Sequence, residues 1–103
     1  DSYINDQHDN DKEGNTITII DVITDNTDIV EDLDLKVKLE KLKEYLKDTL
    51  SERELTVIEL RYGLKGGKEL AQREVAKLLG ISRSYVSRIE KKALSKLKDR
   101  FEE

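Results

Sequence analysis

The side chains best placed for chemistry in this sequence are Arg83, Ser84, Ser87 and Arg88, all within SRSYVSR. At helical spacing they fall in the first turns of one helix, where side chains can reach the edges of DNA bases. Arg88 and Arg83 suit a two-pronged hydrogen bond to guanine, and Arg83 suits a phosphate equally well. Lys91 and Lys92 lie further along the same helix and suit phosphates. Gln72 and Arg73 open the preceding helix and suit backbone phosphates rather than bases. Tyr85 suits either a phosphate or the edge of the core. Lys96 reads as a solvated face, and Glu74 and Glu90 as partners in structural ion pairs.

Positioning those groups takes two crossing helices joined by a tight turn. Residues 72–91, QREVAKLLGISRSYVSRIEK, fill each slot of that helix-turn-helix pattern. Val75 and Leu79 are core positions of the first helix, and the small Ala76 lets the second helix cross closely. Gly80 sits where the turn needs a positive φ, which glycine adopts without strain. Ile81 plugs the turn, Ser82 caps the next helix, and Val86 and Ile89 anchor it. The second face is then free to enter a major groove about 12 Å wide. The bland alternative is a helical hairpin inside some other all-α domain.

Upstream, Leu35, Leu39, Leu42 and Leu46 follow i, i+4, i+7, i+11, one stripe of a helix beginning near Ile29. Ser51 with Glu54 forms a capping box that starts a second helix, SERELTVIELRY, stopping at Gly63. Its Leu55, Ile58 and Tyr62 make one stripe, with Val57 and Leu60 on another side, the signature of a central helix. A third helix covers about 70–79, and a fourth runs from the Ser82 cap to about Phe101 with Val86, Ile89, Ala93 and Leu97 on its inner face. The expected fold is all-α, a four-helix domain over 29–103 with the helix-turn-helix at 71–98. Leu33, Val37, Val57 and Leu60 lie off the main stripes. They line either an exposed groove for an amphipathic partner helix or a tight local core. Residues 1–28 read as an acidic, extended linker, with a β-prone run TITIIDVI at 16–23.

Charge separates the two parts. The net charge is −4, but residues 1–34 hold eleven acidic residues against Lys12, giving −10, and residues 35–103 hold eighteen basic against twelve acidic, giving +6. Residues 71–100 alone carry nine basic and three acidic groups. An acidic front and a basic back suggest a tail joined to a nucleic-acid-binding module. Without Cys, disulfides and thiolate metal sites are excluded. His8, the only histidine, stands in the acidic stretch with no apparent partner. KGGKE at 65–69 lacks the order of a phosphate-binding loop. No nucleophile–base pair or metal cluster supports an enzyme, and no cofactor is implied. No apolar stretch is long enough to span a membrane, and with no secretory-type run the chain reads as cytoplasmic, or as a piece cut from a cytoplasmic protein.

SERELTVIELRYGL followed by AQREVAKLLGISRSYVSRIEKKALSKLK resembles region 4, the C-terminal domain of bacterial RNA polymerase sigma factors. The resemblance covers about 31–100 and is specific in the RYGL turn, the helix-turn-helix and IEKKALSKL. DKEGNTITIIDVITD resembles the region-3.2 linker before it. GISRSYVSRIEKKAL with DKEGN and IIDV looks closest to the mother-cell sporulation sigma factors of endospore-forming bacteria, the sigma-K type before the sigma-E type. The resemblance implies a recognition helix on the promoter −35 element, a domain held by the polymerase β-flap, and a linker entering the active-centre cleft. Carried over, Arg83, Ser84, Ser87 and Arg88 fall on base-reading positions, and Leu33, Val37, Val57 and Leu60 would meet the flap. Primary sigma factors commonly carry Glu where Ser84 stands and Gln where Arg88 stands, which implies a specialised promoter set. Two other readings stay open: a stand-alone helix-turn-helix regulator, and an interaction module for a partner such as an anti-sigma factor.

Overall fold

The computed structural model describes residues 15–24 and 32–102, with side chains from residue 35 onward in the second stretch. Helix α1 covers residues 15–24. It is followed by α2 (Asp32–Thr49), α3 (Glu52–Tyr62), α4 (Gln72–Leu79) and α5 (Arg83–Glu102). Among the described residues there is no strand, so the all-α expectation holds, with five helices in place of four.

The apolar side chains gather into two clusters sharing α3 and α5. One joins Ile19, Ile20 and Ile23 of α1 to Leu39, Leu42 and Leu46 of α2, Ile58 and Tyr62 of α3, and Ala93 and Leu97 of α5. The other joins Val57 to Val75 and Ala76 of α4 and Val86 and Ile89 of α5. Neighbours in a helix point about 100° apart, so Val57 and Ile58, both fully buried, serve different clusters. This is why α3 is apolar on two sides. In α5 the first half serves the helix-turn-helix and the second half the α1–α2 side, which makes it the axis of the domain.

Residues 15–24 correct the reading of 1–28 as an extended linker; residues 1–14 and 25–28 lie outside the described residues. Eight of the ten residues of α1 are Thr, Ile or Val, and the others are Asn15 and Asp21. That composition costs roughly 0.5 kcal/mol per residue in a helix relative to alanine. Against this, Ile19, Ile20 and Ile23 are 0%, 3% and 2% exposed, and each isoleucine buried contributes roughly 1.5–3 kcal/mol. Tertiary burial therefore outweighs local preference. Thr16, also buried, completes an i, i+3, i+4, i+7 stripe. Asn15 Nδ2 donates to the Gly63 carbonyl at 3.3 Å, tying α1 to the end of α3.

The caps fall where the residue types demand. The Glu54 N–H donates to Ser51 Oγ (3.2 Å) and the Ser51 N–H to Glu54 Oε1 (2.9 Å). Gly63 ends α3 at φ 62, where a Cβ would lie 2.5 Å from the Gly67 carbonyl oxygen. Lys96, expected in solvent, instead pairs with the buried Glu54 at 2.9 Å. Burial alone would raise the Glu54 pKa, but the Ser51 N–H and the Lys96 ammonium outweigh it and hold the carboxyl below its ordinary 4.5. A depressed carboxyl pKa stabilises the fold above the unfolded value, and that stabilisation disappears as pH falls through the folded one. Glu54→Gln keeps an N3 amide for the capping box but loses the ion pair. Because Lys96 is a third exposed, it should destabilise by only about 1 kcal/mol at pH 7. Thermal melts of the two proteins should converge below pH 4.5; a constant difference down to pH 3 would rule out this role for the pair.

Candidate nucleic-acid interface

The junction of α4 and α5 sets up the candidate surface. Gly80 takes φ 68, and its N–H and that of Ile81 both donate to the Ala76 carbonyl, closing α4. Ser82 Oγ then accepts from the Tyr85 N–H at 3.0 Å and opens α5. Val75 and Val86 are fully buried and Ala76 and Ile89 nearly so, so the small residue and the anchors hold the two helices together as expected. The other side of α5 is open: Arg83, Ser84, Ser87, Arg88, Lys91 and Lys92 are all exposed, and Tyr85 is 48% exposed. Arg73 is exposed at the start of α4. These cationic and hydroxyl groups, carried on a rigid helix, can donate to phosphates and base edges.

Glu90 fixes how that helix sits. It is 7% exposed and lies within the inner stripe of α5. Its Oε1 accepts from Arg61 Nε (2.8 Å) and Gln72 Nε2 (3.0 Å), and its Oε2 from the Tyr62 hydroxyl (3.5 Å). Arg61 also donates to the Leu70 carbonyl at 2.7 Å. Burial, reinforced by the Glu90 charge, raises the Tyr62 pKa and keeps its phenol a donor. One carboxylate thus links α3, α5 and the first turn of α4, as the ion-pair reading of Glu90 anticipated. The Gln72 side-chain amide, expected at a phosphate, donates one N–H to Glu90, a link the sequence reading did not include. Glu74 accepts from the Ala71 N–H at 2.8 Å, an N-terminal cap. The partners of Glu90 were missed in the sequence, although a glutamate between Ile89 and Ala93 on an apolar stripe signals that partners must exist.

The apolar contact set is corrected too. Val57 is fully buried in the second cluster and offers no docking surface, while Leu60 is half-buried and packs against that cluster. Val37 is 44% exposed, and the side chain of Leu33 lies outside the described residues. Among the described residues no group of His, Cys, Asp or Glu could hold a metal ion, and no helix is long and apolar enough to cross a membrane.

Helices α4 and α5, with their shared core and exposed polar face, define a helix-turn-helix domain. Residues 48–99, half of the chain, match the family described as Sigma-70, region 4, and the chain belongs to that family. It is 56% identical over 88 residues to the RNA polymerase sigma-28 factor of Bacillus thuringiensis subsp. kurstaki, covering 84% of this chain and 37% of that protein. It is also 56% identical over 88 residues to the RNA polymerase sigma-K factor of Bacillus subtilis, covering 84% of this chain and 30% of that protein. The RNA polymerase sigma-E factor of Clostridium acetobutylicum is 44% identical over 89 residues, 85% of this chain and 37% of that protein. The chain thus spans about a third of the length of these curated relatives. No solved structure matches it.

Proposed function

We propose that this chain is the promoter-reading end of a sigma factor, directing RNA polymerase to the −35 element of a specialised, sporulation-type gene set. The observation that carries this is the exposed row Arg83, Ser84, Ser87 and Arg88 on a helix braced from behind by Glu90. Membership of the region-4 family and the names of the relatives give the row its target. Arg73, Tyr85, Lys91 and Lys92 grip the flanking phosphates. Val37, on the open side of α2, belongs to a contact with the polymerase core, for which the β-flap is the candidate; an anti-sigma factor would be a further partner. The acidic residues before α1 belong to a region-3.2-like linker that enters the active-centre cleft. On this reading the chain works in the cytoplasm. To test the reading, the chain is grafted onto the upstream regions of a sigma-K-type relative and transcription is measured with core polymerase. Initiation should depend on the −35 sequence; equal initiation from promoters with a scrambled −35 element would overturn it.

Charge adds an expectation for the free chain. Residues 1–14 carry five acidic groups and Lys12, a net −4, against +6 for residues 35–103. Deleting 1–14 should raise non-specific DNA affinity, most at low ionic strength, because tail and phosphate compete through a screened field. Fluorescence anisotropy across a salt series checks this, and identical affinities at the lowest salt would refute it. The deletion must stop before α1, since removing residues 15–28 as well takes Ile19, Ile20 and Ile23 out of the core.

A further inference from the structure

Val75 and Ala76 of α4 pack against Val86 and Ile89 of α5. Apolar contact is non-directional, so it holds the two helices together without by itself fixing the angle at which they cross. Directional links act at both ends of α4. At its C-terminal end the Gly80 and Ile81 N–H groups donate to the Ala76 carbonyl, and the turn there leads into α5. At its open end Gln72 Nε2 donates to Glu90 Oε1 at 3.0 Å, across to α5. The same oxygen accepts from Arg61 Nε at 2.8 Å, and Arg61 also holds the Leu70 carbonyl just before α4, so the acceptor is fixed from α3. Gln72 stands about 10 Å of helix from Leu79, and a swing of about 5° on the turn moves the first turn of α4 by about 1 Å. Hydrogen-bond distances span only about 2.7–3.2 Å. The amide is not needed to satisfy Glu90, which keeps Arg61 and the Tyr62 hydroxyl without it.

We propose that Gln72 is a positioning residue for base reading: its bond to Glu90 clasps the open end of the α4–α5 crossing and keeps the phosphate grip of α4 in register with the base contacts of α5. Gln72 adjoins the exposed Arg73, and Glu90 lies two residues after the exposed Arg88. The bond therefore ties the neighbour of the phosphate grip to the neighbour of the base reader. In this role Gln72 touches no base and acts through Glu90. Without the bond α4 swings on its turn, Arg73 holds a phosphate at several settings of α5, and preference for the right base falls while the charge of the surface is unchanged. This inference rests on the promoter reading proposed above and deepens it.

The test uses the chain grafted onto the upstream regions of a sigma-K-type relative, as polymerase holoenzyme, on a panel of −35 substitutions. Gln72→Met keeps the side-chain length and the charge but removes the donor. It should stay folded with a cooperative melt and lose at least about fivefold in preference at the position read by Arg88. Binding to a scrambled element, and its salt slope, should match the parent. Gln72→Lys returns a donor to Glu90 and should restore the parent's preference, whatever its added charge does to affinity for all sequences alike. Glu54→Gln weakens the fold through Ser51 and Lys96, without touching α4, and should keep the parent's preference. Equal losses for Gln72→Met on cognate and scrambled promoters would overturn the proposal, because Gln72 would then be a phosphate contact. So would an unfolded Gln72→Met protein, a Gln72→Lys variant that restores nothing, or a Glu54→Gln variant that loses as much preference, since specificity would then follow stability alone. A parent that ignores the −35 sequence overturns the promoter reading itself; a parent that discriminates, beside a Gln72→Met variant that discriminates equally, overturns only this assignment.

Discussion

Val57→Asp should unfold this domain. Val57 has no exposed surface and sits among Val75, Ala76, Val86 and Ile89, a cluster with no charged member, ringed by Leu60, Leu70, Leu79 and Ile81. A carboxylate placed there has no partner, and an unpaired buried charge costs several kcal/mol even after relaxation. That is comparable with the whole stability of a small domain, about 5–15 kcal/mol. The expected result is loss of the helical circular-dichroism signal at 25 °C, or a melting temperature lower by roughly 20 °C or more. Val37→Asp is the control, because Val37 is 44% exposed on α2 and such surface changes stay within about 0.5 kcal/mol. It should melt like the parent, which makes it the clean variant for testing polymerase binding. A folded Val57→Asp protein with the parent's melting temperature would mean that the second cluster is not a core.

The contrast between these two valines marks where the sequence was legible. Stripes confined to one face were legible: on α2 Leu39, Leu42 and Leu46 are buried and Leu35 is half-buried against them, and on α5 Val86, Ile89, Ala93 and Leu97 are all buried. So were features tied to a single residue type, such as the Ser51–Glu54 box and the left-handed turn at Gly80. Val57 stayed ambiguous because a helix with two apolar sides can meet either a partner or a second cluster, and only the position of α4 decides. α1 was read as extended because its β-branched residues dominate the local preference. Its i, i+3, i+4, i+7 spacing was present all along, but a short stretch also fits period two from Ile17 to Ile19. Gln72 and Lys96 were given to phosphate and solvent because their partners, Glu90 and Glu54, are 18 and 42 residues away. Long-range pairing of that kind leaves no periodic trace.

Arg88→Ala should separate reading from gripping at the proposed DNA surface. Arg88 is exposed on α5, five residues after Arg83, and the Glu90 links hold the helix from its inner side. A two-pronged arginine–guanine contact is worth about 1–3 kcal/mol against the wrong base, so the variant should lose on the order of 5- to 150-fold in preference at one −35 position. Lys91→Ala, one turn further along, should weaken every sequence alike and lower the salt slope of binding by about one. Arg88→Lys should resemble the alanine variant in specificity and the parent in overall affinity, because lysine keeps the charge but not the planar fork. The measurement is transcription and DNA binding by reconstituted polymerase on a panel of −35 substitutions, since a single module makes few phosphate contacts of its own. Neither alanine change touches a buried side chain, so the melting temperature should hold and any loss belongs to the interface. If Arg88→Ala reduced binding equally on cognate and scrambled promoters, Arg88 would be a phosphate contact like Lys91, and base reading would fall to Arg83, Ser84 and Ser87.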